Sequence, residues 1–155
     1  SQAAATAHGL AMYPSVQNYY SLLTRDPETN GVFEACVELG IGFVPYFPLE
    51  SGLLTGKYRL GQDRPEGARL TNWGERAESF IDDAKLATVE RLVLWAESRD
   101  HSLLDLAFSW HTSHPLVASV IAGATKPEQI EANVAASSWE LTAHDRAEVD
   151  VLIAG

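Results

Sequence analysis

Apolar residues along the chain recur with the period of a helix in some stretches and run without interruption in others. Val32, Ala35, Cys36 and Leu39 lie three and four apart and stop at Gly40, the spacing of one helix face with a glycine end. Leu86, Val89, Val93 and Ala96 repeat that spacing and predict an amphipathic helix to about Arg99. Ser102, followed three residues later by Asp105, opens another helix in capping-box style. Thr125 is placed to cap a further helix, with Pro127 in its first turn and Glu128 three residues on; it runs to about Ala136. A last helix is expected from Thr142 to Leu152, and the opening Gln-Ala-Ala-Ala-Thr-Ala-His reads as final helical turns stopped by Gly9. Between the helices, Ile41-Gly42-Phe43-Val44-Pro45-Tyr46 and Leu116-Val117-Ala118-Ser119-Val120-Ile121-Ala122 are the short apolar runs of strands buried in a parallel sheet. A shorter strand is expected from Tyr13 to Asn18.

This alternation predicts an α/β fold of about three parallel strands, each followed by helical sequence. Three strands do not close. A (β/α)8 barrel needs eight strands and about 250 residues, so the pattern suits the later part of such a barrel or a small open sheet with exposed edges. Ser1 leads directly into helical sequence, which suggests part of something longer. From 50 to 81 helical periodicity fades, and Gly52, Gly56, Gly61, Pro65, Gly67 and Gly74 alternate with Lys57, Arg59, Arg64 and Arg69. A connection of about 30 residues is long for a compact domain, and the alternatives are a binding lid, with Trp73 as a contact, or a mobile surface loop.

Composition narrows the function classes. The 155 residues are 46% apolar and 21% charged, ordinary for a globular domain and unlike a disordered or fibrous chain. A formal charge of −10 with scattered Lys and Arg excludes a nucleic-acid partner, and no apolar run approaches the roughly 20 residues of a membrane span. A single cysteine rules out an internal disulfide framework and fits a reducing compartment, so a cytoplasmic location is expected.

The junction from Gly123 to Asn133 carries the strongest chemical signal. Gly123 and Ala124 let a backbone approach a ligand, the helix start attracts anions, and Lys126 adds positive charge. A phosphate site and a merely capped helix are both consistent with those residues. Tyr46 at the end of its strand could stack on a flat ring or pack against the barrel rim. His111 and His114 lack the further ligands of a zinc site, and no metal is expected. Asp82 and Asp83 suit a solvated helix start, while Cys36 and Trp110 suit packing.

Together these pieces resemble the aldo-keto reductase superfamily. The resemblance is carried by Val16-Gln17-Asn18-Tyr19-Tyr20-Ser21-Leu22-Leu23, by Gly40-Ile41-Gly42-Phe43-Val44-Pro45-Tyr46-Phe47-Pro48-Leu49, and by Ser51-Gly52-Leu53-Leu54-Thr55-Gly56-Lys57-Tyr58. It continues through Leu106-Ala107-Phe108-Ser109-Trp110 and through the run from Val120-Ile121-Ala122 to Ala132-Asn133, in the same order and over nearly the whole chain. It is nearest to the branch holding potassium-channel β subunits and bacterial reductases. The resemblance implies a (β/α)8 barrel that reduces carbonyl compounds with NADPH, with residues 1–155 as its C-terminal half and 50–81 as the cofactor-covering loop. By the same resemblance, Gln17 holds the nicotinamide carboxamide and Tyr46 stacks on its ring. Phe47, Pro48, Leu49 and Gly52 line the pyrophosphate, and Lys57 and Arg69 come from the covering loop. Gly123, Thr125, Lys126 and Gln129 surround the 2′-phosphate, and Asn133 meets the adenine.

Two positions depart from the family pattern: Phe47 stands where Ser is frequent, and Ala132 where Glu commonly precedes the adenine-binding Asn. The family's catalytic Tyr, Lys, Asp and His lie on the first four strands and have no counterpart here, so no catalytic residue is assigned. The expected protein is an NADPH-dependent reductase represented by its cofactor-binding half, inactive alone, acting on a small carbonyl substrate when intact. The alternatives are a non-catalytic NADP(H)-binding regulatory module and a half-barrel that self-associates through open sheet edges.

Overall fold

The computed structural model describes residues 2–68, 70–72, 77 and 81–155. Its elements in chain order are α1 (Gln2–Ala7), β1 (Ser15–Tyr19), α2 (Val32–Leu39), β2 (Gly42–Tyr46), α3 (Asp83–Glu97), α4 (Leu103–Thr112), α5 (Pro127–Ala136) and α6 (Ala143–Ala154), with 3₁₀ turns at Asp26–Glu28 and Glu50–Thr55. The helix ends follow from local chemistry. Gly40 takes the left-handed conformation after α2 at φ 63°, the Asp82 side chain accepts from the Lys85 N–H, and both Ser102/Asp105 and Thr142/Asp145 form reciprocal capping boxes.

The Thr125 expectation is overturned. Lys126 is the N-cap residue of α5 and makes no side-chain cap bond, and Pro127 is the first helical residue. Proline suits that first position, because its missing N–H is one the helix would leave unpaired anyway.

β1 and β2 pair in parallel, with Ser15 opposite Gly42 and Tyr19 opposite Tyr46, and α2 supplies the crossover. The third predicted strand is only partly formed. Residues 116–122 join β2 through two isolated bridges, Phe43 to Val117 and Tyr46 to Ile121. Pro45 explains the interruption. Phe43 donates to the Leu116 carbonyl and accepts from Ala118, but the next donor on β2 would be the N–H that proline lacks. The Pro45 carbonyl then accepts from Ile121 at 2.9 Å, one residue later than a regular ladder requires.

Alternation sorts the sheet into two faces. Phe43 and Pro45 are buried, and Tyr20, Phe33 and Phe43 meet edge-on with ring centroids 4.9–5.5 Å apart; Trp110 of α4 lies 5.0 Å from Tyr20. Cys36 and Trp110 belong to this core, as their apolar positions predicted. On the opposite face Gln17, Tyr46, Ala118 and Ile121 remain exposed, and a Cβ on Gly42 would come within 2.8 Å of the Ala118 Cβ.

Candidate functional site

The chain leaving β2 folds into a tight, strained turn. Phe47, Glu50 and Ser51 all carry positive φ (64°, 47° and 57°), a conformation costing roughly 1 kcal/mol or more per non-glycine residue. Backbone bonds from Glu50 to the Phe47 carbonyl (3.2 Å) and from Gly52 to the Leu49 carbonyl (2.7 Å) stabilise it. Gly52, at φ 97°, is the one position of the turn where glycine is required twice over. A Cβ there would be strained and would sit 3.3 Å from the Lys57 ammonium.

This turn forms one wall of a cleft of about 540 Å³. Phe47, Pro48, Leu49, Ser51, Gly52, Thr55 and Lys57 line it from the β2 side. Gly67, Ala68 and Asn72 of the long connection and Leu104 of α4 close it, and Ala122, Gly123, Thr125, Gln129, Ala132 and Asn133 form the facing wall. The long connection is tied down rather than loose where it is described. Tyr58 is buried and its hydroxyl accepts from the Leu70 N–H at 3.1 Å, and Arg59 makes paired hydrogen bonds of 2.8 and 2.6 Å to Glu90 on α3.

Of the residues singled out from sequence, Phe47, Pro48, Leu49, Gly52, Lys57, Gly123, Thr125, Gln129 and Asn133 converge on this cleft. Gln17 and Tyr46 lie on the exposed sheet face beside it, and the exposed Lys126 is not among its lining residues. Arg69 and Trp73 fall outside the described residues. At the α5 start, the Gln129 side-chain oxygen accepts from the Thr125 N–H (2.7 Å) and hydroxyl (3.1 Å), so part of the donor set read as an anion site is already engaged.

Sequence reasoning missed Ser51, whose hydroxyl is buried on the cleft wall without a hydrogen-bond partner among the described residues. It also missed Leu104, Asn72 and the Glu50 network. The Glu50 carboxylate is buried and accepts hydrogen bonds from the hydroxyls of Tyr19, Ser21 and Thr24, the last at 2.8 Å. Burial and the Glu50 contact push the Tyr19 phenol well above its ordinary range, and burial with Glu28 does the same to Tyr20. Neither tyrosine is poised to release a proton near neutral pH.

Residues 2–154 match the profile of the Aldo/keto reductase family. The chain belongs to that family. Among its relatives, the L-glyceraldehyde 3-phosphate reductase of Escherichia coli K12 is 32% identical over 143 residues, covering 89% of this chain and 41% of that protein. A putative voltage-gated potassium channel subunit beta of Schizosaccharomyces pombe is 35% identical over 136 residues, 85% of this chain and 39% of the relative. The protein Tas of E. coli K12 is 31% identical over 150 residues, 96% and 42% of the two chains. The branch is the one the sequence motifs pointed to, and this aldo/keto reductase chain spans about two fifths of the length of these relatives. Among the described residues no helix is long and apolar enough to cross a membrane.

Proposed function

We infer that this chain is the cofactor-binding, C-terminal part of a (β/α)8 aldo/keto reductase barrel that reduces aldehydes or ketones with NADPH. The observation that supports the reading best is the cleft itself, because the β2 turn and the 122–133 junction, distant in sequence, form its two facing walls. A phosphorylated dinucleotide suits it in three respects. The volume falls within the roughly 300–1,000 Å³ of small-molecule sites. The orphaned Ser51 hydroxyl offers an unused hydrogen bond at its wall, and Gly52 leaves backbone bare beside the Lys57 ammonium.

Bound there, a reduced nicotinamide supplies a hydride equivalent to a carbonyl carbon. This chain's residues bind and orient. Lys57 and Arg69 offset the pyrophosphate charge, and Phe47, Pro48, Leu49 and Gly52 present their backbone to it. Gly123, Thr125, Lys126 and Gln129 receive the 2′-phosphate, which requires Gln129 to release the Thr125 N–H it now occupies. Asn133 meets the adenine, while Gln17 and Tyr46 support the nicotinamide from the open sheet face. Tyr19 and Tyr20 do not substitute for the catalytic tyrosine of the first barrel half, since their hydroxyls donate to buried or paired carboxylates.

Titrating the chain with NADPH and with NADH while following backbone amide NMR shifts tests this reading. Shifts at Thr125, Lys126 and Gln129 that are larger with NADPH are expected, with weak affinity because only part of the pocket wall belongs to this segment. Equal response to the two nucleotides, or none at millimolar concentration, refutes it. The similarity to channel β subunits favours a second reading, an NADP(H)-binding regulatory module; tight NADPH binding by this chain alone selects it.

A further inference from the structure

Five consecutive-to-neighbouring residues of the β2 turn face the cleft: Phe47, Pro48, Leu49, Ser51 and Gly52. Glu50 is the exception. Its backbone shares the left-handed strain of the turn, but its carboxylate points behind the wall into a nest of hydroxyls. A buried carboxylate normally needs a cation. Among the described residues, every hydrogen bond to this one comes from a hydroxyl, belonging to Tyr19 at the end of β1 or to Ser21 and Thr24 in the turn that follows it.

The network reaches further through Ser21 and Tyr19. The Ser21 oxygen also accepts from the backbone N–H groups of Leu23 and Thr24, at 3.1 and 3.0 Å, so this donor of the clamp is itself fixed. The Tyr19 ring stacks on Tyr46 at 5.7 Å between centroids and meets Phe47 edge-on at 5.5 Å. One carboxylate therefore ties the strained turn to β1 and sets the ring that backs both Tyr46 and Phe47.

We propose that Glu50 is a positioning residue: its buried carboxylate, gathering the hydroxyls of Tyr19, Ser21 and Thr24, holds the 47–52 cleft wall and the Tyr19–Tyr46 aromatic pair in the arrangement that receives the nucleotide. Its functional half rests on the nucleotide reading above. Facing inward, the carboxylate also keeps its negative charge off the cleft surface, where it would repel a phosphate. Geometry rather than charge is the essence of the clamp. A glutamine at 50 keeps an oxygen for Ser21 and Thr24 and turns an amide N–H toward the Tyr19 oxygen.

The test measures amide hydrogen exchange across 47–54 and NADPH affinity in the chain and in its E50A and E50Q variants. E50A is expected to exchange roughly tenfold faster in that segment, as loss of a buried bonding centre implies, with α4 and α6 unchanged. NADPH affinity should weaken in E50A by about tenfold, while E50Q stays within about threefold of the parent in both measurements. Rescue by E50Q is the outcome a purely electrostatic role does not give, and faster exchange in Y19F or T24V, which leave the Glu50 side chain in place, is the outcome a purely space-filling role does not give. Unchanged exchange in E50A, or E50Q as loose as E50A, overturns the clamp. If E50A does not fold, Y19F and T24V each remove one donor and must raise exchange in the same segment, or the clamp fails. A parent chain that binds no NADPH sinks the nucleotide reading while exchange still decides the clamp; altered exchange with unaltered affinity refutes the clamp's service to the site.

Discussion

His111 makes the chain's stability depend on pH in a predictable way. It lies in α4 with no exposed surface, and neither ring nitrogen has a hydrogen-bond partner among the described residues. The Tyr20 and Trp110 rings pack against it, with centroids 5.5 and 5.1 Å away. Burial, then the Arg146 and His114 charges, lower its pKa from 6.5 to about 3. The unfolded chain therefore takes up a proton at a pH where the folded chain does not, and stability is fully present above pH 6.5 and falls as pH drops toward 3. The slope approaches 1.4 kcal/mol per pH unit for one such group, or roughly 2.5 kcal/mol between pH 7 and 4.5. His114, also lowered by burial and Arg146, adds to the same window. The carboxylates Glu28, Glu90 and Asp145 have lowered pKa values, so their contribution is lost only below their unfolded values, near or below 4.5. The interval from 6.5 to 4.5 thus isolates the imidazoles. Urea unfolding at several pH values should show the parent losing stability through this interval while H111L retains only the smaller slope of His114. Removing two unpaired buried nitrogens should also make H111L more stable at pH 7, by about 1 kcal/mol or more. Equal slopes in the two proteins would refute the burial argument.

Other consequences are open to measurement. The chain alone should show no carbonyl reduction with NADPH; steady turnover would refute the assignment of the catalytic groups to the other barrel half. G52A should lower stability by roughly 1–2 kcal/mol through its positive φ, and a urea midpoint equal to the parent's would contradict that. T142A, which removes a true capping box, should cost about 1 kcal/mol, whereas T125A should cost only a few tenths because Thr125 does not cap α5. Equal costs would restore Thr125 as the cap. The exposed sheet face bearing Gln17, Tyr46 and Ile121 predicts dimers or larger species by light scattering, and a clean monomer at high concentration would argue against self-association.

What could be read from the sequence was whatever rests on local rules. The Ser102/Asp105 capping box, the Gly40 stop and the helical stripes around Cys36, Val93 and Trp110 each depend on residues within one or two turns, and each formed as expected. Thr125 was misread because two overlapping patterns compete, Thr125 with Glu128 and Lys126 with Gln129. Pro127 decides between them, since proline at the first helical position places the cap one residue before it. Glu50 left no local signal. An acidic residue among glycines reads as solvent-facing, and only the return of the chain beside β1 brings three hydroxyls to it, 26 to 31 residues away in sequence.

The third strand combines a local signal with a distant cause. Its apolar run was legible, but the defect that shapes it sits on the neighbouring strand, at Pro45. A regular ladder continued from Phe43–Val117 would place Val120 opposite Tyr46; the slip caused at Pro45 puts Ile121 there instead. The residues just beyond that bridge, Phe47 and Ala122, are the first members of the two facing cleft walls. A shift of one residue is about 3.3 Å along a strand, enough to change which backbone groups of the 122–125 junction face the β2 turn. The register at Tyr46 therefore does more than hold the sheet together. It sets which part of the helix approach stands across from the Glu50-anchored turn, and so joins the fold to the site.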